Sequence, residues 1–162
     1  MVGGKISYSL FPNYAVVKLI KRITWEMSGE LNALFLCLLK ELQLSILYIE
    51  MSETNYVDST ILGILVQIKK RSDDQSVKVI ISSPAEVCEA LLTDVGLNKI
   101  FEISKDNPPQ IGILKEIPLG KTMTILEIEL LIKSAHEELM NLNEHNRELF
   151  SPVVDILNNE KS

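Results

Sequence analysis

Polar side chains concentrate in one short connection of this sequence, between Glu50 and Leu65. Asp58 and Ser59 stand there directly before an apolar run with helical spacing, so either residue can cap the N-terminus of a helix. A serine in the first turn of a helix is exposed and lies in the positive field of free backbone N–H groups. These groups accommodate an added phosphate of about −2 charge. The pair therefore predicts either a structural cap or a cap that is also a phosphorylation site.

The predicted effect of such a phosphate is electrostatic. Its charge would lie beside Asp58 and near Glu50 and Glu53, so it would repel an acidic partner surface. Little refolding is required, because the N-terminus of a helix already favours an anion. These properties are those of a local switch.

The two histidines offer little catalytic chemistry in the sequence. His136 and His145 both lie in the C-terminal part of the chain, and a spacing of nine residues does not place them on one helix face. We expect solvated helix positions rather than zinc ligands or a catalytic base. A triad with Ser59 and Asp58 requires a tail histidine to fold onto this motif, which no sequence feature indicates. With no Gly-rich phosphate loop and no Cys/His cluster, the sequence predicts no catalytic residue, metal or cofactor.

Composition narrows the class of protein. The 162 residues are 46% hydrophobic, which is enough for a packed core, and the net charge of −6 argues against nucleic acid and anionic membranes as partners. No run of about 18 apolar residues and no signal-peptide core is present. Cys37 and Cys88 each lie among apolar residues, which predicts buried, reduced thiols. Together these features predict a cytoplasmic protein.

Hydrophobic periodicity predicts an α/β fold. Strands over 5–10 and 14–20, joined by a turn at 11–13, form a hairpin, and an amphipathic helix follows as far as about Leu42. Strands then alternate with helices, which implies βα units and a largely parallel sheet. These later elements are a strand over 45–51, a polar connection, a helix that includes Ile61 to Ile68, a strand over 77–81, a helix from Pro84 to Gly96, and a strand over 100–103.

The C-terminal third of the chain reads as a helical extension. Asn107-Pro108-Pro109 marks a boundary, so we expect one domain over residues 1–107 and the extension over 108–162. Thr124 and Glu127 form a capping box, and Pro152 is predicted to end the helix. Between them apolar positions alternate at spacings of three and four, the pattern of a coiled-coil seam. The seam positions are Ile125, Ile128, Ile132, Ala135, Leu139, Leu142, Asn146 and Leu149.

This seam has two interpretations. The helix can fold back onto its own domain, which the wider apolar face of its first half favours. It can also pair with a partner helix or with a second copy through residues 125–149, which the narrower second half favours. Asn146 at an a position would then set the register of a parallel pair. Of the two interpretations, the sequence slightly favours pairing with a second copy or with a partner helix.

Residues 47–65 resemble the signature of STAS domains, the bacterial anti-sigma factor antagonist family. The family has a strand ending in Asp-Leu-Ser, a few residues, then Asp-Ser-Ser-Gly-x-Gly-x-Leu. Residues 77–82, Leu91-Leu92 and Gly96-Leu97 with Ile100-Phe101 resemble the second half of the family pattern. The resemblance covers about two thirds of the chain and implies a STAS-like mixed, mostly parallel sheet with helices packed on it.

The resemblance also implies a function in signal transduction and transcription regulation. Ser59 corresponds to the serine that a partner anti-sigma factor kinase phosphorylates. The unmodified domain binds that kinase and releases its sigma factor, phosphorylation ends the binding, and a phosphatase restores it. The implied docking region runs from Glu53 to Lys69. The predicted partner-binding residues are Glu53, Asn55, Asp58, Thr60, Ile61 and Gln67.

Three departures from the family pattern bear on the partner. Ile61 replaces the small residue, usually glycine, after the serine pair, so we expect extra bulk near the docking surface. Lys21 lies where the family often has glycine, and the tail after about Asn107 does not resemble a single closing helix. An alternative function is therefore a scaffold or assembly subunit of a signalling or transport complex that oligomerises through its C-terminal helix. A small-molecule sensor or enzyme would require a polar pocket, which the sequence does not reveal.

Overall fold

A computed structural model describes residues 3–119 and 123–159 of the chain. The first two strands form the predicted antiparallel hairpin, in which Leu10 pairs with Ala15. The second strand then begins a parallel series that continues through three later strands. The prediction of a mixed, mostly parallel sheet is confirmed. The strands are β1 Lys5–Leu10, β2 Tyr14–Ile23, β3 Ile46–Glu50, β4 Thr54–Val57, β5 Lys78–Ser82, β6 Glu102–Ser104 and β7 Lys115–Glu116.

The strands of the main sheet lie in the order β6-β5-β3-β2-β1-β7, with β4 paired to the far end of β2. Crossover helices connect the parallel strands, as parallel pairing requires. A 3-10 turn over Trp25–Met27 leads into the first helix. The α-helices are α1 Ser28–Glu41, α2 Ser59–Asp74, α3 Glu86–Asp94, α4 Ile125–Met140 and α5 Glu144–Asn159.

The short strand β4 was predicted as part of a polar connection. Its polar composition does not show the alternation typical of a strand. Nevertheless, Thr54 and Val57 at its two ends are buried, and the Thr54 hydroxyl donates a hydrogen bond to the carbonyl oxygen of Leu19. A bulge between Lys21 and Arg22 allows this pairing, and Lys21 has a φ of 66°. Glycine adopts that left-handed conformation without steric cost. This geometry explains why glycine is frequent at the position in the family that the signature resembles.

Helix α2 is buried on nearly all sides in its first half. A surface helix shows one apolar stripe, whereas α2 packs against α1, α4 and β5. Side chains of the C-terminal helices extend the same hydrophobic core, among them Ala135, Leu139 and Phe150. The buried residues of α2 are Thr60, Ile61, Leu62, Gly63, Ile64, Leu65, Val66, Ile68 and Ser72.

The C-terminal tail is a hairpin of two helices, so the prediction of one continuous seam helix is wrong. The carbonyl side chain of Asn143 accepts a hydrogen bond from the Asn146 N–H at 2.8 Å and starts α5 after a turn. Pro152 lies inside α5 rather than at its end. The predicted seam position Leu149 is 50% exposed, and Phe150 beside it enters the shared core instead.

The predicted burial of both thiols is half right. Cys88 is buried, and its Sγ donates a hydrogen bond to the carbonyl oxygen of Thr54 at 3.2 Å. Burial raises the pKa of the Cys88 thiol to about 11, so this sulfur stays protonated at neutral pH. Cys37 is exposed on α1, between the buried positions Phe35 and Leu38, because its neighbours rather than its own side chain form the inner face.

Candidate functional site

Asp58 ties the start of α2 to the start of α1. Its backbone is extended, and its Oδ1 accepts a hydrogen bond from the Ile61 N–H at 3.0 Å, which is the predicted N-cap. Its Oδ2 accepts a second hydrogen bond from the backbone N–H of Trp25 at 2.7 Å. One carboxylate therefore fixes two helix entries.

Ser59 is the first residue of α2, and its hydroxyl contacts a histidine. Ser59 Oγ lies 2.7 Å from Nε2 of His136 on α4. The other ring nitrogen, Nδ1, lies 2.7 Å from the carbonyl oxygen of Ile132. Because a carbonyl oxygen only accepts, Nδ1 carries a proton, and in the neutral ring Nε2 accepts from the Ser59 hydroxyl. The ring of Phe150 on α5 packs edge-on against His136, with 5.5 Å between ring centroids.

The expectation that both histidines are solvated is wrong for His136, which is only 4% exposed. His145 on α5 is exposed, as predicted. Ala135, His136 and Leu139 follow Ile132 by three, four and seven residues, so the four share one helix face. This spacing could have indicated that His136 is buried. Histidine is left out, however, when only apolar residues are used to define the buried face.

No triad forms around Ser59 through Asp58. The Asp58 carboxylate is used by the Ile61 and Trp25 N–H groups, and the His136 ring is oriented by a backbone carbonyl instead. Two surface pockets lie elsewhere, one beside β5 and one between α4 and α5. The Ser59–His136 contact joins α2 and α4.

Helix α4 lies directly on α2. A Cβ atom at Gly63 would overlap with the backbone carbonyl of Ala135, so the two helices approach each other at backbone distance. Gln67 Nε2 donates a hydrogen bond to Ser134 Oγ at 3.2 Å. Farther along, Lys70 Nζ forms an ion pair with Glu138 Oε2 at 2.5 Å.

The predicted partner-binding residues separate into exposed and covered groups. Glu53 and Asn55 are exposed, and Gln67 lies half-buried against α4. Thr60 is 4% exposed and Ile61 is fully buried. Ile61 therefore fills the core, and the expectation that it adds bulk at a docking surface is wrong.

Lys18 on β2 balances the acidic residues of the connection. Its Nζ lies 2.5 Å from Glu53 Oε2 and 3.8 Å from Glu50 Oε2. The hydrogen bond from Lys18 lowers the pKa of the Glu53 carboxyl, and the hydrogen bond to Glu53 raises the pKa of Lys18. Glu50 is fully buried, and its Oε1 accepts from the Ser52 N–H at 2.9 Å. One cation therefore locally offsets the negative charge of Glu50 and Glu53.

The family model described as the STAS domain matches residues 7–107. The anti-sigma factor antagonist SpoIIAA in its unphosphorylated form aligns with a TM-score of 0.56 at 10% identity, covering 60% of this chain and 86% of that one. A crystal structure described as a putative anti-sigma factor antagonist from Thermotoga maritima gives a TM-score of 0.55 at 21% identity, covering 60% of this chain and 83% of that one. SpoIIAA from Bacillus in its phosphorylated form gives 0.51 at 10% identity, covering 60% and 89%.

These structural likenesses show a shared fold. No curated protein sequence matches the chain. In residues 3–119 and 123–159, no helix is both long and apolar enough to cross a membrane.

Proposed function

This chain belongs to the STAS domain family, and we propose that it is a non-enzymatic, cytoplasmic regulatory module that binds a protein partner and is switched by phosphorylation of Ser59. The observation that supports this function most strongly is the position of Ser59 as the first residue of α2, directly after the Asp58 cap. A phosphate on that hydroxyl would meet the free N–H groups and positive dipole of the helix.

The solved structures support the same assignment by fold. SpoIIAA is described as an anti-sigma factor antagonist and has been solved in a phosphorylated form. By analogy, the partner of this chain is an anti-sigma factor kinase or a related regulatory protein, and a phosphatase reverses the modification. The exposed side chains of Glu53 and Asn55 lie next to the capped helix start, where such a partner would meet them first.

Incubation with a kinase and ATP is expected to add one phosphate, which mass spectrometry maps to Ser59. The phosphorylated chain should bind the kinase at least about tenfold more weakly, a change of about 1.4 kcal/mol, because the new charge repels an acidic partner surface. Ser59→Ala should abolish the incorporation.

Thr60→Ala is the matched control, since its hydroxyl is one residue away and buried. This variant should still accept phosphate at Ser59. The absence of phosphate on Ser59 with every candidate kinase of the same genome would contradict the switch, as would incorporation that persists in Ser59→Ala.

A second candidate function is the scaffold that assembles through its C-terminal helices. Leu149 and Ile156 are seven residues apart on α5 and 50% and 60% exposed, so they share one apolar face. This function predicts a mass above that of the monomer in light scattering and a return to the monomer mass in the Leu149→Glu/Ile156→Glu variant. A monomer mass for the unaltered chain at all concentrations would exclude self-assembly by this face.

A further inference from the structure

The surface of α2 that follows Ser59 is occupied by a segment of the same chain. We define the α2 face as Ser59, Gly63, Gln67 and Lys70, and the cover as the α4–α5 hairpin. We propose that the cover opens as a unit and that a protein partner reaches the α2 face and Ser59 only when it has opened. The part that concerns docking and modification rests on the proposed function.

The contacts across the α2 face are specific and largely polar. The Ser59 hydroxyl meets His136 Nε2 at 2.7 Å, Gln67 donates to Ser134 at 3.2 Å, and Lys70 pairs with Glu138. Each of these bonds can be exchanged for one to water, so their net contribution to closure is modest. The closed cover is nevertheless the resting state, because apolar side chains of both its helices join the core.

One close approach makes the fit of the cover selective. At Gly63 the backbone of Ala135 on α4 occupies the space that any larger side chain would need. With no Cβ at Gly63, a partner helix that takes the place of α4 has room for the same backbone approach. It would also present an acidic group to Lys70, as Glu138 does.

The chain between β7 and α4 is long enough for the cover to move away while the sheet stays intact. The last strand before it, β7, ends at Glu116, and α4 starts after Thr124. Eight residues can span about 26 to 29 Å when extended, which exceeds the 10–12 Å diameter of a helix. The front of α4 also exposes apolar side chains to solvent, including Leu126 at 56% and Leu130 at 48%, so only part of this helix is held in the core.

Closure has a direct consequence for Ser59. The Ser59 hydroxyl donates a hydrogen bond to Nε2 of His136, and the His136 residue is only 4% exposed. A kinase must bring the γ-phosphate of ATP and its own catalytic groups to Oγ, beside which the imidazole ring lies at 2.7 Å. The closed cover therefore slows phosphorylation of Ser59.

The test uses variants of the full chain that favour the open cover. It measures two rates, which are thiol labelling of the α2 face and phosphorylation of Ser59. Gly63→Ala places a methyl group against the Ala135 carbonyl, while alanine otherwise favours the helix. Glu138→Lys opposes Lys70 with a like charge and leaves α2 unchanged. Gly3→Ala is the control, because no atom lies within 4 Å of the methyl group it adds.

The first signal needs no kinase. Gln67→Cys in a Cys37→Ser background places a thiol on the α2 face, and its rate of reaction with a maleimide reports how often that face is uncovered. We expect labelling at least about tenfold faster when Gly63→Ala is added, a smaller increase with Glu138→Lys, and no change with Gly3→Ala. Circular dichroism confirms that each variant remains folded.

The second signal is the rate of Ser59 phosphorylation by the kinase that modifies the unaltered chain, which should rise with the labelling rate. Labelling that does not respond to Gly63→Ala overturns the cover, and so does phosphorylation at one rate in the closed and opened chains. Faster labelling without phosphate on any variant supports the cover and removes the proposed phosphoswitch, so the two ideas fail separately.

Discussion

Replacement of Lys18 by methionine is expected to lower the free energy of unfolding by about 3 kcal/mol. The variant keeps the length of the side chain but removes the cation 3.8 Å from the fully buried carboxylate of Glu50. A buried charge without its partner is strongly destabilising, whereas an exposed charge is not. Urea denaturation at pH 7 measures the loss.

Two further variants separate the buried carboxylate from the exposed one. Glu53→Gln removes the exposed partner of Lys18 and should have only a small effect, since the Glu53 side chain is 58% exposed. Lys18→Met combined with Glu50→Gln should be more stable than Lys18→Met alone, because no uncompensated charge is left inside. Equal losses for Lys18→Met and Glu53→Gln would refute the role assigned to Glu50.

The pKa shifts of Glu53 and Lys18 show at which pH the ion pair between them contributes to stability. Glu53 has a lowered pKa in the folded chain, so its contribution is present above its unfolded pKa and is lost as pH falls through the folded value. Lys18 has a raised pKa, so its contribution is complete below its unfolded pKa and is lost as pH rises through the folded value. Both contributions are present at pH 7.

Asn146→Leu is expected to lower the free energy of unfolding by about 1 kcal/mol. Asn146 is fully buried, and its Nδ2 donates hydrogen bonds of 2.9 Å to the carbonyl oxygens of Val95 and Leu139. Leucine removes both hydrogen bonds, whereas the Leu139 carbonyl oxygen still accepts from the Leu142 N–H at 3.1 Å. Thermal and urea unfolding measure the change, and His145→Leu, at the exposed neighbouring position, is the control with little effect.

This substitution also separates the two interpretations of the seam. In a parallel coiled coil an a-position asparagine sets the register at a cost in stability, so leucine would stabilise the assembly. In the folded-back hairpin the same leucine destabilises the monomer. A more stable Asn146→Leu variant with a larger mass would therefore contradict the intramolecular role of Asn146.

The sequence predicts the first two thirds of the fold well, because each strand and helix there has its own period. Strand β4 escapes prediction because Asn55 and Tyr56 interrupt its apolar pattern, and its pairing depends on a left-handed Lys21. The break between α4 and α5 escapes for another reason. Apolar spacings of three and four residues fit one long helix and two helices that share a core, and only the turn at Asn143 separates the two cases.

One part of the candidate site can be predicted from the sequence, and another part depends on the tertiary structure. The start of α2 at Asp58 and Ser59 follows from local capping chemistry, which a sequence displays directly. The contact of Ser59 with His136 joins residues 77 positions apart, and no local rule predicts it. The burial of Ile61 likewise depends on how the helix is rotated against the rest of the fold.

The cover follows the domain with Ser59 along the chain, which has a consequence during synthesis. The residues of that domain are made before those of α4 and α5. At about 5 to 20 residues per second, translation of residues 123–159 takes roughly 2 to 7 seconds. During that interval the newly made α2 surface is open to chaperones, kinases and binding partners, so the nascent chain passes through a state that the finished protein hides.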